Sequence, residues 1–191
     1  SRSRAVTVVD TTRGAFRPGQ LVLAAGSWSS PLAAGLRLDL PIQPAKGYSI
    51  EIEAPVDTPA MPFMLTEAKV AVTPLGQGRL RFAGTLELAG LDLSINRRRV
   101  DAIMQAVPRY LPTWNPAGMQ VHEVWRGLRP CTPDGLAILG RPRAWDNVVL
   151  AAGHAMIGMS LGPVTGQLVG QIVEGQAPAF DLRLLDPDRF H

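Results

Sequence analysis

The chain has 191 residues, of which 46% are hydrophobic and 18% charged, with a net charge of +3. That length gives one large domain or two small ones with a buried core, and the composition is that of a soluble globular protein. Its basic residues are scattered arginines, with Lys46 and Lys69 the only lysines, so there is no basic stripe with interleaved aromatics and no nucleic-acid partner is expected.

In chain order, residues 5–11 are rich in β-formers and are followed by turns at Gly14 and at "RPGQ". "LVLAAG", residues 21–26, is a short apolar run closed by glycine and predicts a buried strand. "SWSSPLAAGL" predicts a short helix capped by Ser29 or Ser30, with Pro31 at its first position. The proline-punctuated "LPIQPAKG" is a domain boundary in this reading. Strands follow at 48–53, 68–73 and 79–83, and the short Gly- and Pro-containing turns between them favour antiparallel pairing.

"NRRRV" opens a helix over 97–107, where Val100, Ile103, Met104 and Val107 occupy the i, i+3, i+4, i+7 positions of one face. Its arginines read as a solvated face, and Pro108 and Pro112 are expected to end it. A strand at 121–125 leads into "WRGLRPCTPDGLAILG", in which two arginines, two prolines and a Thr-Pro-Asp-Gly turn lie between apolar residues. "NVVLAAG", residues 147–153, repeats the buried-strand pattern. A last helix spans 161–174 and stops at Gly175. Two such strands near the ends enclose a strand-rich middle. The plan is α/β (α+β), with residues 41–125 inserted as an antiparallel-sheet domain into an outer domain of 1–40 and 126–191.

A single cysteine, Cys131, excludes an internal disulfide and favours a reducing, cytoplasmic setting. His122, His154 and His191 fall in no metal-ligand spacing, so no metal is expected. No run of about 18 apolar residues and no signal peptide is visible. Gly158, Gly162, Gly166 and Gly170 recur every four residues. Each glycine costs a helix about 1 kcal/mol relative to alanine, and close approach of backbone or of a flat ligand is the usual compensation. At Gly166 and Gly170 both compensations stand open. At Gly158 and Gly162, next to the helix start and just after a buried strand, free N–H groups and a positive dipole end favour a ligand that carries negative charge.

The dinucleotide fingerprint G-x-G-x-x-G is missing: "GQG" at 76–78 lacks the third glycine and "GHAMIG" has the wrong spacing. Neither a Walker A sequence nor a Ser-His-Asp or Cys-His arrangement can be read. By elimination, the guest is the edge of a flat cofactor that becomes anionic during turnover.

"WRGLRPCTPDGLAILG" followed by "NVVLAAGHAMIGMSLGPVTGQLV" resembles the C-terminal part of FAD-dependent amine and D-amino-acid oxidoreductases. Their pattern runs W-x-G-x-R-P, T-P-D-G, a G-H strand end and a Gly/Pro/Thr-Gly helix. "PAKGYSI", "LTEAKVAVTPL", "RLRFAGTLEL" and "LDPDRF" are most similar to D-amino-acid dehydrogenases, and the resemblance covers essentially the whole chain. It implies FAD as cofactor and a partial FAD-binding domain with the substrate domain inserted in it. Family members carry G-x-G-x-x-G in an N-terminal region absent from this sequence. The chain, which opens "SRSRAVTVVD" without Met, is therefore expected to be a C-terminal portion, inactive without that region.

The resemblance also assigns roles. Arg129, of the R-P pair, anchors the substrate carboxylate through its planar fork; the alternative is a structural ion pair, for example to Asp134. Arg126 is assigned to packing or the surface. Gly153, His154, Ile157 and Gly158 line the flavin, by side chain or backbone in the case of His154, and Gly162 aims the helix dipole at it. Lys46, Gly47 and Tyr48 match a K-G-Y at the crossing into the substrate domain, where Tyr48 touches substrate or covers the flavin. Gly26, Ser27 and Trp28 match a turn near the ADP side. Gly84 and Thr85 match a G-G-x-x-E turn in which Ala83 replaces the first glycine. Cys131 adjoins Thr132 rather than lying several residues before T-P-D, so no covalent flavin is expected.

The implied reaction is oxidative deamination of a D-amino acid. Hydride passes from Cα to flavin N5, and the imine hydrolyses to a 2-oxo acid and ammonia. Electrons pass to a quinone or another respiratory acceptor, with peripheral contact at the inner membrane, or to oxygen. A glycine- or sarcosine-type oxidase and a non-catalytic binding module are the alternatives.

Overall fold

Apolar runs and alternation set ten strands and three helices in the computed structural model, which describes residues 4–115 and 118–190. In chain order they are β1 (Val9–Thr11), β2 (Gly14–Phe16), β3 (Leu21–Leu23), α1 (Ser29–Ala34), β4 (Gln43–Glu53), β5 (Phe63–Leu65) and β6 (Val70–Gly76). Then come β7 (Arg79–Glu87), α2 (Arg97–Tyr110), β8 (Val121–Cys131), β9 (Ile138–Gly140), β10 (Val148–Ala152) and α3 (Gly158–Val173). The chain forms two compact units: Ser1–Pro44 with Arg129–His191, and Ala45–Leu128. The fold is mixed α/β, as the order of elements in the sequence implies.

In the first unit, β1 and β2 form a hairpin and β3, β10 and β9 form a sheet in that order. β10 runs parallel to β3 and antiparallel to β9. Every residue of β10 is buried, because apolar groups cover it from both sides. Ala33, Leu40 and Ile42 pack with Val148, Leu150 and Ala152, while Leu168 and Val164 of α3 pack with Ala151 and Leu139. A strand covered on two faces has no polar alternation, which is why "VVLAA" reads as one apolar run. β3 departs from the expectation of a buried strand. It is a sheet edge, with Val22 exposed and its neighbours half-buried.

α1 begins at Ser29, so Ser29 is helical rather than capping, Trp28 holds the N-cap and Pro31 lies inside the first turn. Ser30 instead donates its hydroxyl to the Leu40 carbonyl. α3 starts three residues earlier than expected and accommodates Pro163, since a proline near a helix start removes a donor that has few partners there.

In the second unit, the strand order is β5-β6-β7-β4-β8, and the β4·β7, β6·β7 and β5·β6 pairs are antiparallel. One face of this sheet supplies Tyr48, Ile50, Ile52, Val70, Val72, Leu80 and Phe82 to the core, and α2 covers it with Val100, Ile103 and Val107. α2 continues past Pro108 to Tyr110; the missing donor falls in its last turn, and the buried face holds that turn in place. β8 also runs further than expected, through the Arg-Pro pair to Cys131. Within it Gly127 is bare because a Cβ there would fall inside the Trp125 indole, which accounts for the glycine of "WRG".

Candidate functional site

Parallel pairing of β3 with β10 brings two of the sequence-derived glycine turns to one sheet edge. The register matches Leu23 with Leu150, so Gly26 and Gly153 each follow that pair by three residues at the carboxyl ends of adjacent strands. Both are left-handed, at φ +54° and +83°, a conformation that costs other residues about 1–2 kcal/mol. Gly153 has a steric requirement too. A Cβ there would lie 2.8 Å from the Thr132 methyl and 3.5 Å from the Ile138 nitrogen. Carboxyl ends of strands in open α/β sheets are where ligands collect. Ser27 is buried beside Gly26, and Trp28 is exposed.

After Gly153 the chain passes His154 and Ala155, itself at φ +46°, and enters α3. His154 shares a hydrogen bond of 3.0 Å with the Thr165 hydroxyl, about two turns along α3. Burial holds its pKa below the ordinary histidine value, so the ring is neutral near pH 7. The first turn of α3 carries no acidic residue and no side-chain cap, which leaves its N–H groups and dipole end uncompensated. Around it Met156, Ile157 and Met159 are exposed apolar side chains. A Cβ on Gly162, Gly166 or Gly170 would meet nothing within 4 Å, and on Gly158 only the His154 Cβ at 3.3 Å. Among the described residues, then, the glycine face is open and is not packed against the chain's own core.

Arg129 and Pro130 near the end of β8 are tied to this turn, because the Ala155 N–H donates to the Pro130 carbonyl at 3.0 Å. The Thr-Pro-Asp-Gly turn closes as read, with the Gly135 N–H donating to the Thr132 carbonyl at 3.2 Å. Asp134 is not the partner of Arg129. Its carboxylate accepts from Arg189 at 2.8 and 3.1 Å, and that guanidinium, helped by the Leu136 N–H, holds Asp134 down to about 2. The other half-buried arginines, Arg81, Arg141 and Arg189, all have acceptors. Among the described residues the half-buried Arg129 has none. Cys131 beside it is a free thiol, and among the described residues no group of three or more His, Cys, Asp or Glu could hold a metal.

In the other unit, the K-G-Y segment lies on a buried polar network that sequence reasoning did not find. Lys46, only 1% exposed, donates to Asp92 at 2.7 Å and to the Ser94 carbonyl at 3.0 Å, with Glu87 at 3.8 Å. Tyr48, equally buried, donates to Glu87 at 2.6 Å, and its oxygen accepts the Asn96 N–H at 3.2 Å. Asn96 precedes α2 and also donates its amide to Glu87, so this carboxylate faces the positive end of the helix. The Asp92 hydrogen bond keeps the Lys46 ammonium above its ordinary pKa against the opposing effect of burial. Asp92 itself is held low by Lys46 and then by Ser94, and Glu87 by Tyr48 and then by Asn96.

What brings Glu87 onto the Lys46 face is a bulge: Tyr48 pairs with Gly84 but Lys46 with Glu87, with Thr85 left-handed at φ +68° between them. The signal available in the sequence was the G-x-x-E spacing, but its alternation places Glu87 on the wrong face unless the bulge is known. Gly84 lies under α2, where a Cβ would meet the Lys69 carbonyl at 3.2 Å and Ile103 at 3.3 Å.

The sequence matches the DAO family of FAD-dependent oxidoreductases over residues 1–172. The chain belongs to that family. A D-amino-acid oxidase of Bradyrhizobium diazoefficiens is 36% identical over 194 residues, covering 100% of this chain and 45% of that protein. A D-amino acid dehydrogenase of Xanthobacter autotrophicus is 37% identical over 173 residues, covering 88% and 40%. The glycine oxidase of Geobacillus kaustophilus superposes with a TM-score of 0.86 at 31% identity, over 95% of this chain and 48% of that one. The chain thus spans less than half the length of these relatives. The DAO family is FAD-dependent, and this chain's residues fit the flavin part of that cofactor. The left-handed glycines, the uncapped helix start, the apolar side chains beside it and the open glycine face together form a place for a flat, partly anionic ring. Among the described residues no helix is long and apolar enough to cross a membrane.

Proposed function

We propose that this chain carries the substrate-anchoring and flavin-facing residues of an FAD-dependent D-amino-acid dehydrogenase, which converts D-amino acids to 2-oxo acids and ammonia. In this reading residues 1–40 and 126–191 belong to the FAD-binding domain and 41–125 to the substrate domain. The observation that carries it is half-buried Arg129, whose guanidinium has no acceptor among the described residues. A guanidinium without an acceptor has its donors free for a ligand that supplies the anion. An amino-acid carboxylate suits its planar fork.

When bound, FAD supplies the two-electron acceptor for the Cα–H of the substrate. Arg129 holds the carboxylate and so orients Cα. Gly153, Ile157 and Gly158 give the cofactor a surface without bulky obstruction, and the α3 N-terminus, which lies at Gly158 with Gly162 a turn further along rather than at the helix start, favours negative charge on it. The neutral His154 ring is occupied by Thr165, so its contribution runs through its backbone. Gly26 and Trp28 serve the ADP side. Lys46 and Tyr48 are engaged by Asp92 and Glu87 and so hold the Gly47 backbone between them in place. Likeness to named D-amino acid dehydrogenases supports the substrate class, and likeness to a glycine oxidase supports an oxidase as second reading. Peroxide release in air separates the two.

The test is Arg129→Ala in flavin-loaded protein. Two charge-assisted hydrogen bonds to a carboxylate contribute about 3 kcal/mol, so KM for D-alanine should rise roughly a hundredfold. An unchanged KM refutes the assignment.

A further inference from the structure

We infer that Thr132 is a positioning residue that sets the spacing between the Arg129 end of β8 and the Gly153–Ala155 turn. The inference rests on the reading of Arg129 as carboxylate anchor and of that turn as flavin-facing. Thr132 is buried, at 8% exposure, and its side chain is held at both ends. The hydroxyl donates to the Leu136 carbonyl at 2.7 Å, which closes the Thr-Pro-Asp-Gly turn from inside. The methyl lies 2.8 Å from where a Gly153 Cβ would be. A β-branched side chain has little rotameric freedom, and with its hydroxyl fixed the methyl has one place to go. It therefore acts as a spacer against a residue that must lack a side chain.

On the other side of the spacer lies the hydrogen bond from the Ala155 N–H to the Pro130 carbonyl. Contact at Thr132–Gly153 and this bond at Pro130–Ala155 bracket the junction at two points. Two points fix both the distance and the angle between the strand segment that bears Arg129 and the turn. One point would leave a hinge. Ala155 is itself left-handed, so the turn has a conformation that the surrounding contacts must maintain. Reaction rates depend on such spacing, since a displacement of about 1 Å can cost two orders of magnitude. Carboxylate affinity depends on Arg129 itself, so the two residues leave different kinetic signatures.

Two variants separate spacer from hydrogen bond. Thr132→Ser keeps the hydroxyl and deletes the methyl. Thr132→Val keeps the methyl, and the Leu136 carbonyl still accepts from Arg189 at 2.9 Å. Amide exchange at Ala155, measured by NMR on the chain itself, should speed up about tenfold or more in Thr132→Ser and stay near wild type in Thr132→Val. In flavin-loaded protein, Thr132→Ser should lower kcat for D-alanine at least tenfold with KM within about threefold, and Thr132→Val should retain most of kcat. If Ala155 exchange or kcat is unmoved in Thr132→Ser, or if Thr132→Val is equally impaired, the inference is overturned. An unchanged KM in Arg129→Ala would overturn the underlying reading instead, while the exchange experiment still decides whether the spacer exists.

Discussion

Lys46 and Asp92 form an ion pair with unequal halves, and the inequality predicts which single substitution costs more. Lys46 is buried at 1% side-chain exposure, whereas Asp92 is 48% exposed. Asp92→Asn removes charge at nearly constant size and leaves an ammonium inside the protein with the Ser94 carbonyl and Glu87 at 3.8 Å. Breaking a buried pair from one side costs about 3–5 kcal/mol, and one partner already half in water puts this case at the lower end of that range. Lys46→Met leaves the carboxylates behind instead. Asp92 can turn to water and keeps both bonds from Ser94, Glu87 keeps Tyr48 and Asn96, and the methionine fills the space of the lysine stem. Its cost should be about 1 kcal/mol. Urea unfolding at pH 7, followed by the fluorescence of buried Trp114, reads both. With a slope of about 1.5 kcal/mol/M, the midpoint should fall by about 2 M for Asp92→Asn and by less than 1 M for Lys46→Met. Equal losses, or a greater loss in Lys46→Met, would refute the argument that the buried partner controls the energetics.

Three further outcomes follow from the backbone and from one histidine. Thr85→Gly should stabilise the chain by about 1 kcal/mol, because the left-handed φ of +68° strains a β-branched residue; thermal unfolding checks it, and a lowered Tm counts against a strained bulge. Gly166→Ala and Gly170→Ala should each raise stability by about 1 kcal/mol through helix propensity, since a Cβ at either meets nothing within 4 Å. Destabilisation of the isolated chain would mean that the face is packed. His154 is held below its ordinary value of 6.5 by burial, so the unfolded chain takes up its proton first. The stability that the neutral ring contributes is therefore present above about pH 6.5 and is lost as pH falls below it. Denaturation midpoints between pH 7.5 and 5.5 should fall less steeply in His154→Gln than in the unsubstituted chain, and parallel profiles would show that His154 is not the group responsible.

Local patterns carried much of this protein. The face of α2 is legible because Val100, Ile103 and Val107 recur at helical spacing whatever they pack against, and β10 because a strand covered on both faces shows no polar alternation. The Thr-Pro-Asp-Gly turn is also local, closed by a hydrogen bond three residues long. The order of the glycine and arginine motifs was enough to indicate the family. Tertiary structure alone decided who faces whom. Asp134 lies five residues from Arg129 but pairs with Arg189, 55 residues away. Glu87 reaches Lys46 only through the bulge at Thr85, and β3 is an edge because no strand covers its far side among the described residues. Periodicity records whether a position is covered, since burial acts on each side chain separately. An ion pair or a spacer contact depends on the coordinates of two distant segments at once, and no single window of sequence contains both.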